Sequence, residues 1–217
     1  EIGSGLVGSE MCIRDRFGGS FYRWATSGEK KPYGSAGNGA AMRVSPIAEI
    51  YENQKEIICL SAMSADATHN HYEGIKGAVI AAMMIWMAYR GYDKEQIFQY
   101  MLGHYRDDQN VLPSVQRFKK FDMQELRQKF GYPLSAFTVP AAAVCFYKSA
   151  SYEDAITNVL SFGGDTDTIG AVTGGIAGAY YGVPESAQTV VMKLNTDATF
   201  LEAYKILERC RKGMPGK

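Results

Sequence analysis

The chain has 217 residues, enough for one sizeable domain, and 46% of them are hydrophobic, which suits a packed core and excludes a disordered chain. Lys plus Arg number 23 and Asp plus Glu number 23, so the formal net charge is zero. That balance argues against broad electrostatic attraction to nucleic acid or to anionic membranes.

Residues 1–16, EIGSGLVGSEMCIRDR, lack the basic, apolar and small-residue layout of a signal peptide. A glycine-rich loop over 28–39 leads into a helix predicted over 40–51. Gly34, Gly37 and Gly39 free the backbone there, and Asn38 is placed to cap. Backbone N–H groups at such a helix start suit an anion, phosphate included. A dinucleotide fingerprint fails, because Met42 stands where its third glycine belongs; the P-loop Lys-Ser/Thr pair is also missing. Arg43 reads as a phosphate partner or a surface ion pair. The next helix is predicted over 54–66. His69 and His71 are two residues apart, too close to share a helical face as a zinc pair, and read as hydrogen-bonded groups at a helix entry.

In YEGIKGAVIAAMMIWMAYRG (72–91), Ile75, Ala78, Val79, Ala82, Met83, Trp86 and Met87 follow the helical i, i+3, i+4, i+7 pattern, and Gly91 stops the helix. Lys76 and Arg90 bracket its apolar run too closely for a membrane span of ~20 residues. Further helices are predicted at 93–104, 122–130, 138–149, 152–161, 167–181, 184–194 and 197–211, separated by loops at 28–39, 105–117 and 131–135. Alternating strand patterns and internal repeats are not found, so the expected fold is all-α, a compact multi-helix single domain. Cys12, Cys59, Cys145 and Cys210 contain no C-x-x-C pair, which excludes a zinc knot and fits thiols in a reducing, cytoplasmic compartment.

The segment SFGGDTDTIG (161–170) crowds Asp165 and Asp167 behind two glycines. Residues i and i+2 diverge on a helix. The two carboxylates therefore converge only if Gly163-Gly164 make a glycine-only turn and Asp165 lies at or before the N-cap. Asp165, Asp167 and the Thr168 hydroxyl would then offer three oxygens to a hard cation, magnesium or manganese. The competing reading is that these residues only cap a helix. The helix that follows, IGAVTGGIAGAYYG, carries Gly170, Gly174 and Gly178 at four-residue spacing, which predicts a central helix that a neighbour approaches closely along one face.

Three segments taken together, SAGNGAAMRVSPIA, THNHYEGIKGA and GGDTDTIGAVTGGIAGAYYG, with AFTVPAAAVCFY between the last two, resemble the ADP-ribosylglycohydrolase family of the dinitrogenase-reductase-activating type. The resemblance runs from about Phe17 to about Pro184. It implies an all-α fold around a two-metal magnesium centre that hydrolyses the glycosidic bond of ADP-ribose. Asp165, Asp167 and Thr168 match metal ligands, with Asp165 and Asp167 the catalytic carboxylates. Gly34, Ser35, Ala36, Gly37, Asn38 and Gly39 match the segment around the diphosphate and ribose, and His69 matches a histidine near the nucleotide. Implied partners are an ADP-ribosylated protein or a small ADP-ribosyl conjugate, with no membrane and no evident nucleic acid. The family's upstream Thr-Asp-Asp-Thr segment has no counterpart in residues 1–16. These are expected to be a non-native or disordered stretch before an N-terminally truncated domain at 17–217. The paired aspartates of RDDQN (106–110) fall in the wrong place to replace that segment. Two other readings follow: a non-catalytic ADP-ribose binder, and a haloacid-dehalogenase-like phosphatase, whose Asp-x-Asp site needs a β-strand where YEDAITNVLSFGG reads as helix.

Overall fold

The computed structural model describes residues 19–28, 30–106 and 134–212. The helix predicted at 122–130, residues 1–16, and Asp107 and Asp108 lie outside the described residues. Ten α-helices are described: α1 Gly19–Thr26, α2 Ser45–Ile50, α3 Gln54–Asp66, α4 Tyr72–Tyr89, α5 Lys94–His104, α6 Ser135–Lys148, α7 Tyr152–Phe162, α8 Thr166–Tyr181, α9 Glu185–Leu194 and α10 Ala198–Lys212. Among the described residues there is no strand, only an isolated bridge between Gly37 and Leu134. The all-α expectation holds. None of these helices is long and apolar enough to cross a membrane.

Local chemistry sets most helix boundaries. The Asn53 side chain accepts from the Lys55 N–H at the start of α3, Asp93 and Gln96 form a reciprocal capping box on α5, and Ser151 caps α7. Gly91 follows α4 with φ 76°, as expected of a C-terminal glycine. The single helix expected over 40–51 is instead a 3₁₀ turn at Ala41–Arg43 followed by α2. Pro46 is the physical reason: with no N–H it cannot extend a helix from the preceding turn, but it fits the first positions of a new one. Helix α6 starts three residues before the predicted boundary and runs through Pro140, and α1 is absent from the predicted elements.

Helix α4 is the hub, packed against α2, α3, α5, α6 and α8. Its buried residues, from Gly74 to Ala88, lie all round the axis. The stripe read from the sequence is therefore only part of its buried surface, as befits a helix apolar on every side. The predicted central role of 167–181 belongs first to α4, with α8 packed beside it and against α6 and α7.

The glycine row on α8 also differs from expectation. A Cβ at Gly170 or Gly174 would come no nearer than 3.8 Å to Val159 or 3.6 Å to Ile156, ordinary contact with α7. Within the row only Gly178 is tight, 2.9 Å from Val183 Cγ2; other tight positions are Gly175, 2.8 Å from Ser45 Oγ and 3.0 Å from Ile85, and Gly77 on α4, 2.5 Å from Ser135 Cβ. Glycines 74 and 77 thus permit the close approach of α4 to the elements that carry the site.

Lys94 locks the opposite side. Its Nζ donates to the Ser149 carbonyl and lies 5.2 Å from the Tyr181 ring centroid, 5.6 Å from Phe146 and 5.9 Å from Tyr180. Lys94→Met keeps the apolar stem and removes these attractions. Chemical denaturation is expected to show a loss of roughly 1–2 kcal/mol, with ligand binding unchanged because no site residue is touched.

Candidate functional site

The acidic turn is built by glycine. Gly163 ends α7 at φ 73°, ψ −161°, and Gly164 follows at φ 76°, conformations that side-chain-bearing residues avoid. Asp165 then occupies the N-cap of α8, yet its side chain makes no capping bond. Its Oδ2 accepts from Asn38 Nδ2 at 2.6 Å and its Oδ1 accepts from the Thr168 hydroxyl at 3.3 Å, and the Asp167 side chain is near enough to raise its pKa. The capping reading fails for Asp165, because the carboxylate faces side chains and not the backbone of α8.

The electrostatics follow from that placement. Burial, and then the Asp167 carboxylate, push the Asp165 carboxyl above its ordinary range, while the Asn38 and Thr168 donors hold it down. Thr168 is 5% exposed. The Asp165 carboxylate thus sits half-buried beside a second acidic side chain. A hard divalent cation suits that pairing, and all three groups are hard oxygen donors. Asp165, Asp167 and Thr168 fit such an ion by donor chemistry. Among the described residues no group of three His, Cys, Asp or Glu side chains comes together, so carboxylates alone do not complete a cage.

Asn38 does not cap either. It is 6% exposed, and its Nδ2 donates both to Thr138 Oγ1 on α6 at 2.8 Å and to Asp165. The residue before the 3₁₀ turn, Ala40, has no side-chain cap bond. One carboxamide therefore joins the glycine loop, α6 and the acidic turn. Sequence reasoning missed both Thr138 and this role of Asn38, since the partners lie 100 and 127 residues away.

The glycine loop is pinned from several sides. Gly34, at φ 69°, donates its N–H to Asn70 Oδ1 at 2.6 Å. The Gly37 N–H donates to Ser35 Oγ at 3.1 Å. Ser135 donates through Oγ to the Gly37 carbonyl and through N to the Ala36 carbonyl. Among the described residues, the N–H groups of Ala36 and Gly39 take no protein acceptor, which suits an anion-binding turn. Gly74 of α4 sits beneath the loop, where a Cβ would stand 2.6 Å from the Ser35 carbonyl oxygen and 2.8 Å from that of His69.

His69 lies against the same loop, beside Gly39, and is 6% exposed. The Tyr33 ring is tilted over it at 6.0 Å. His71 caps α4 by accepting from the Glu73 N–H at 3.2 Å, the structural role expected of it. His104 packs against Tyr100, away from these groups in the chain. Arg43 is neither a surface ion pair nor a free phosphate ligand here. Its Nη2 donates to the Ser64 carbonyl at 2.6 Å and to Thr68 Oγ1 at 3.0 Å, tying the 3₁₀ turn to the end of α3. The phosphatase reading fails as well: the approach to Asp165 is helix α7, not a strand.

The model of the ADP-ribosylglycohydrolase family matches residues 5–212, a longer stretch than the one over which the motifs are legible by eye. The chain is 33% identical to ADP-ribosylhydrolase ARH3 of Homo sapiens over 71% of this chain and 53% of that protein. The figures for ADP-ribosylhydrolase ARH3 of Bos taurus are the same. The chain thus spans about half the length of the curated relatives it matches. A solved structure described as an ADP-ribosylglycohydrolase-related protein complex superposes with a TM-score of 0.60 at 27% identity, covering 83% of this chain and 66% of that one.

Proposed function

This chain belongs to the ADP-ribosylglycohydrolase family, and we propose that it hydrolyses the glycosidic bond of ADP-ribosyl conjugates with the help of magnesium, or of manganese in its place. The supporting observation is the meeting of Asp165, Asp167 and Thr168 with the glycine loop through Asn38. One side of the site offers hard oxygens and the other offers the backbone N–H groups of Ala36 and Gly39, the two chemistries that a metal-dependent hydrolase of a diphosphate ligand needs together.

In this reading Asp165, Asp167 and Thr168 hold the metal, which supplies Lewis acidity and offsets the paired negative charge. Gly34 to Gly39 hold the diphosphate and the adjoining ribose. Asn38 fixes the Asp165 carboxylate, and the half-buried setting strengthens each polar contact by limiting water. The substrates are an ADP-ribosylated protein or a small ADP-ribosyl conjugate. The protein acts in the reducing cytoplasm, a reading supported by the free thiols of Cys59, Cys145 and Cys210.

The shortage of carboxylate ligands among the described residues favours a second reading, a non-catalytic ADP-ribose binder. Release of ADP-ribose from a modified protein, measured with magnesium and with EDTA, separates the two. The hydrolase reading expects release that depends on the ion. Calorimetric binding of ADP-ribose without turnover would support the binder, and neither binding nor turnover would overturn both.

A further inference from the structure

We propose that Arg43 and Thr68 are positioning residues that fix His69 as a neutral ring protonated on Nε2, so that it offers a permanent N–H donor to an oxygen of the ligand held by the glycine loop. The ligand's identity depends on the function proposed above; the protonation pattern does not.

Thr68 Oγ1 stands between two nitrogens, 3.0 Å from Arg43 Nη2 and 2.7 Å from His69 Nδ1. Guanidinium only donates, so the Thr68 oxygen is an acceptor on that side. The hydroxyl has a single proton. Thr68 is 1% exposed and has no other acceptor among the described residues, so that proton has nowhere to go except His69 Nδ1. Were Nδ1 also protonated, the Thr68 hydroxyl hydrogen would be buried without a partner, a cost of about 1–3 kcal/mol. Nδ1 is therefore the acceptor, and the hydrogen of a neutral ring lies on Nε2.

The charged form is disfavoured independently. Burial, reinforced by the Arg43 charge, lowers the His69 pKa to about 4. Among the described residues the Tyr33 ring also lies against it, a phenol neutral at these pH values whose pKa burial raises further. The Nε2–H has no protein acceptor among the described residues. It lies beside Gly39, where a Cβ would stand 3.0 Å from Nε2. An unused donor on a side chain more than nine-tenths buried, edging an anion-binding turn, calls for an acceptor oxygen, a phosphate or a ribose oxygen. A neutral donor binds such an oxygen without being neutralised and without switching off as pH rises past the ordinary histidine range.

Long-range proton–nitrogen NMR of the histidine-labelled full chain tests this, with His69→Gln assigning the signal. The expected native spectrum shows Nε2 protonated and Nδ1 bare, unchanged between about pH 6 and 8. Thr68→Ser is expected to keep that pattern, and Thr68→Val to lose it. ADP-ribose affinity by calorimetry should weaken roughly five- to tenfold in Thr68→Val and recover in Thr68→Ser. A native ring protonated on Nδ1, or cationic at neutral pH, overturns the assignment without any variant having to fold. So does a Thr68→Val protein that loses affinity with its tautomer unchanged. The expected native tautomer together with no ADP-ribose binding would instead leave the relay standing and remove the functional reading.

Discussion

Replacing Asp165 with alanine is expected to abolish magnesium-dependent thermal stabilisation and to lower ADP-ribose release by a factor on the order of 10² to 10³, while the protein stays folded. The second half of that expectation distinguishes a site from a cap. A capping aspartate holds backbone N–H groups, and its loss costs roughly 0.5–2 kcal/mol. Asp165 holds none. Its carboxylate is instead half-buried beside Asp167, with its pKa raised, so at neutral pH the ionised group opposes folding in the absence of a cation. Alanine removes that opposition but leaves one Asn38 N–H without its acceptor. The two effects act in opposite directions, and the melting temperature is expected to move little. Asp165→Asn keeps an acceptor for Asn38 and should lose the ion response just as fully. A variant that unfolds while its affinity for magnesium is intact would return Asp165 to a structural role.

Gly74→Ala is the second large effect. Its new methyl group would stand 2.6 Å from one backbone carbonyl oxygen and 2.8 Å from another, and neither can rotate away as a side-chain end can. Overpacking of this kind costs roughly 1–3 kcal/mol. Both carbonyls belong to segments of the site, Ser35 in the glycine loop and His69 beside it. Loop displacement should therefore reduce ADP-ribose affinity more than tenfold, as read by calorimetry. Gly170→Ala is the contrasting variant. Its methyl group meets only Val159, at 3.8 Å, and alanine in a helix interior gains roughly 0.5–1 kcal/mol over glycine. The pair should shift urea midpoints in opposite directions. A Gly74→Ala protein with native stability and native affinity would show that the loop does not rest on α4.

These variants also mark how far the sequence could be read. The acidic turn was legible because its cause is local: two glycines with positive φ put Asp165 at a helix start, and the spacing of Asp165, Asp167 and Thr168 does the rest. The helices were legible where caps and periodicity agreed, as in α3 and α5. The split at Pro46 was legible in principle, since a missing N–H is a property of one residue, but the run of apolar residues on either side masked it. The glycine roles were not legible. Spacing showed which glycines share a face of α8, but not that α7 leaves Gly170 and Gly174 ordinary room while α6 crowds Gly77 on α4. Asn38 was read as a cap because nothing local indicates a threonine 100 residues downstream and an aspartate 127 residues downstream. Such links arise only when the packing of α4 against α6 and α8 brings distant segments together.

The shared carboxamide of Asn38 has a thermodynamic consequence. On the function proposed here it touches the carboxylate that would hold the cation and belongs to the loop that would hold the nucleotide, so whatever either guest does to its orientation is felt by the other. Coupling of this kind is reciprocal: if cation occupancy tightens nucleotide affinity by some factor, nucleotide occupancy tightens cation affinity by the same factor. Titrations run in either order should close the cycle, and truncating Asn38 should drive the two affinities towards independence.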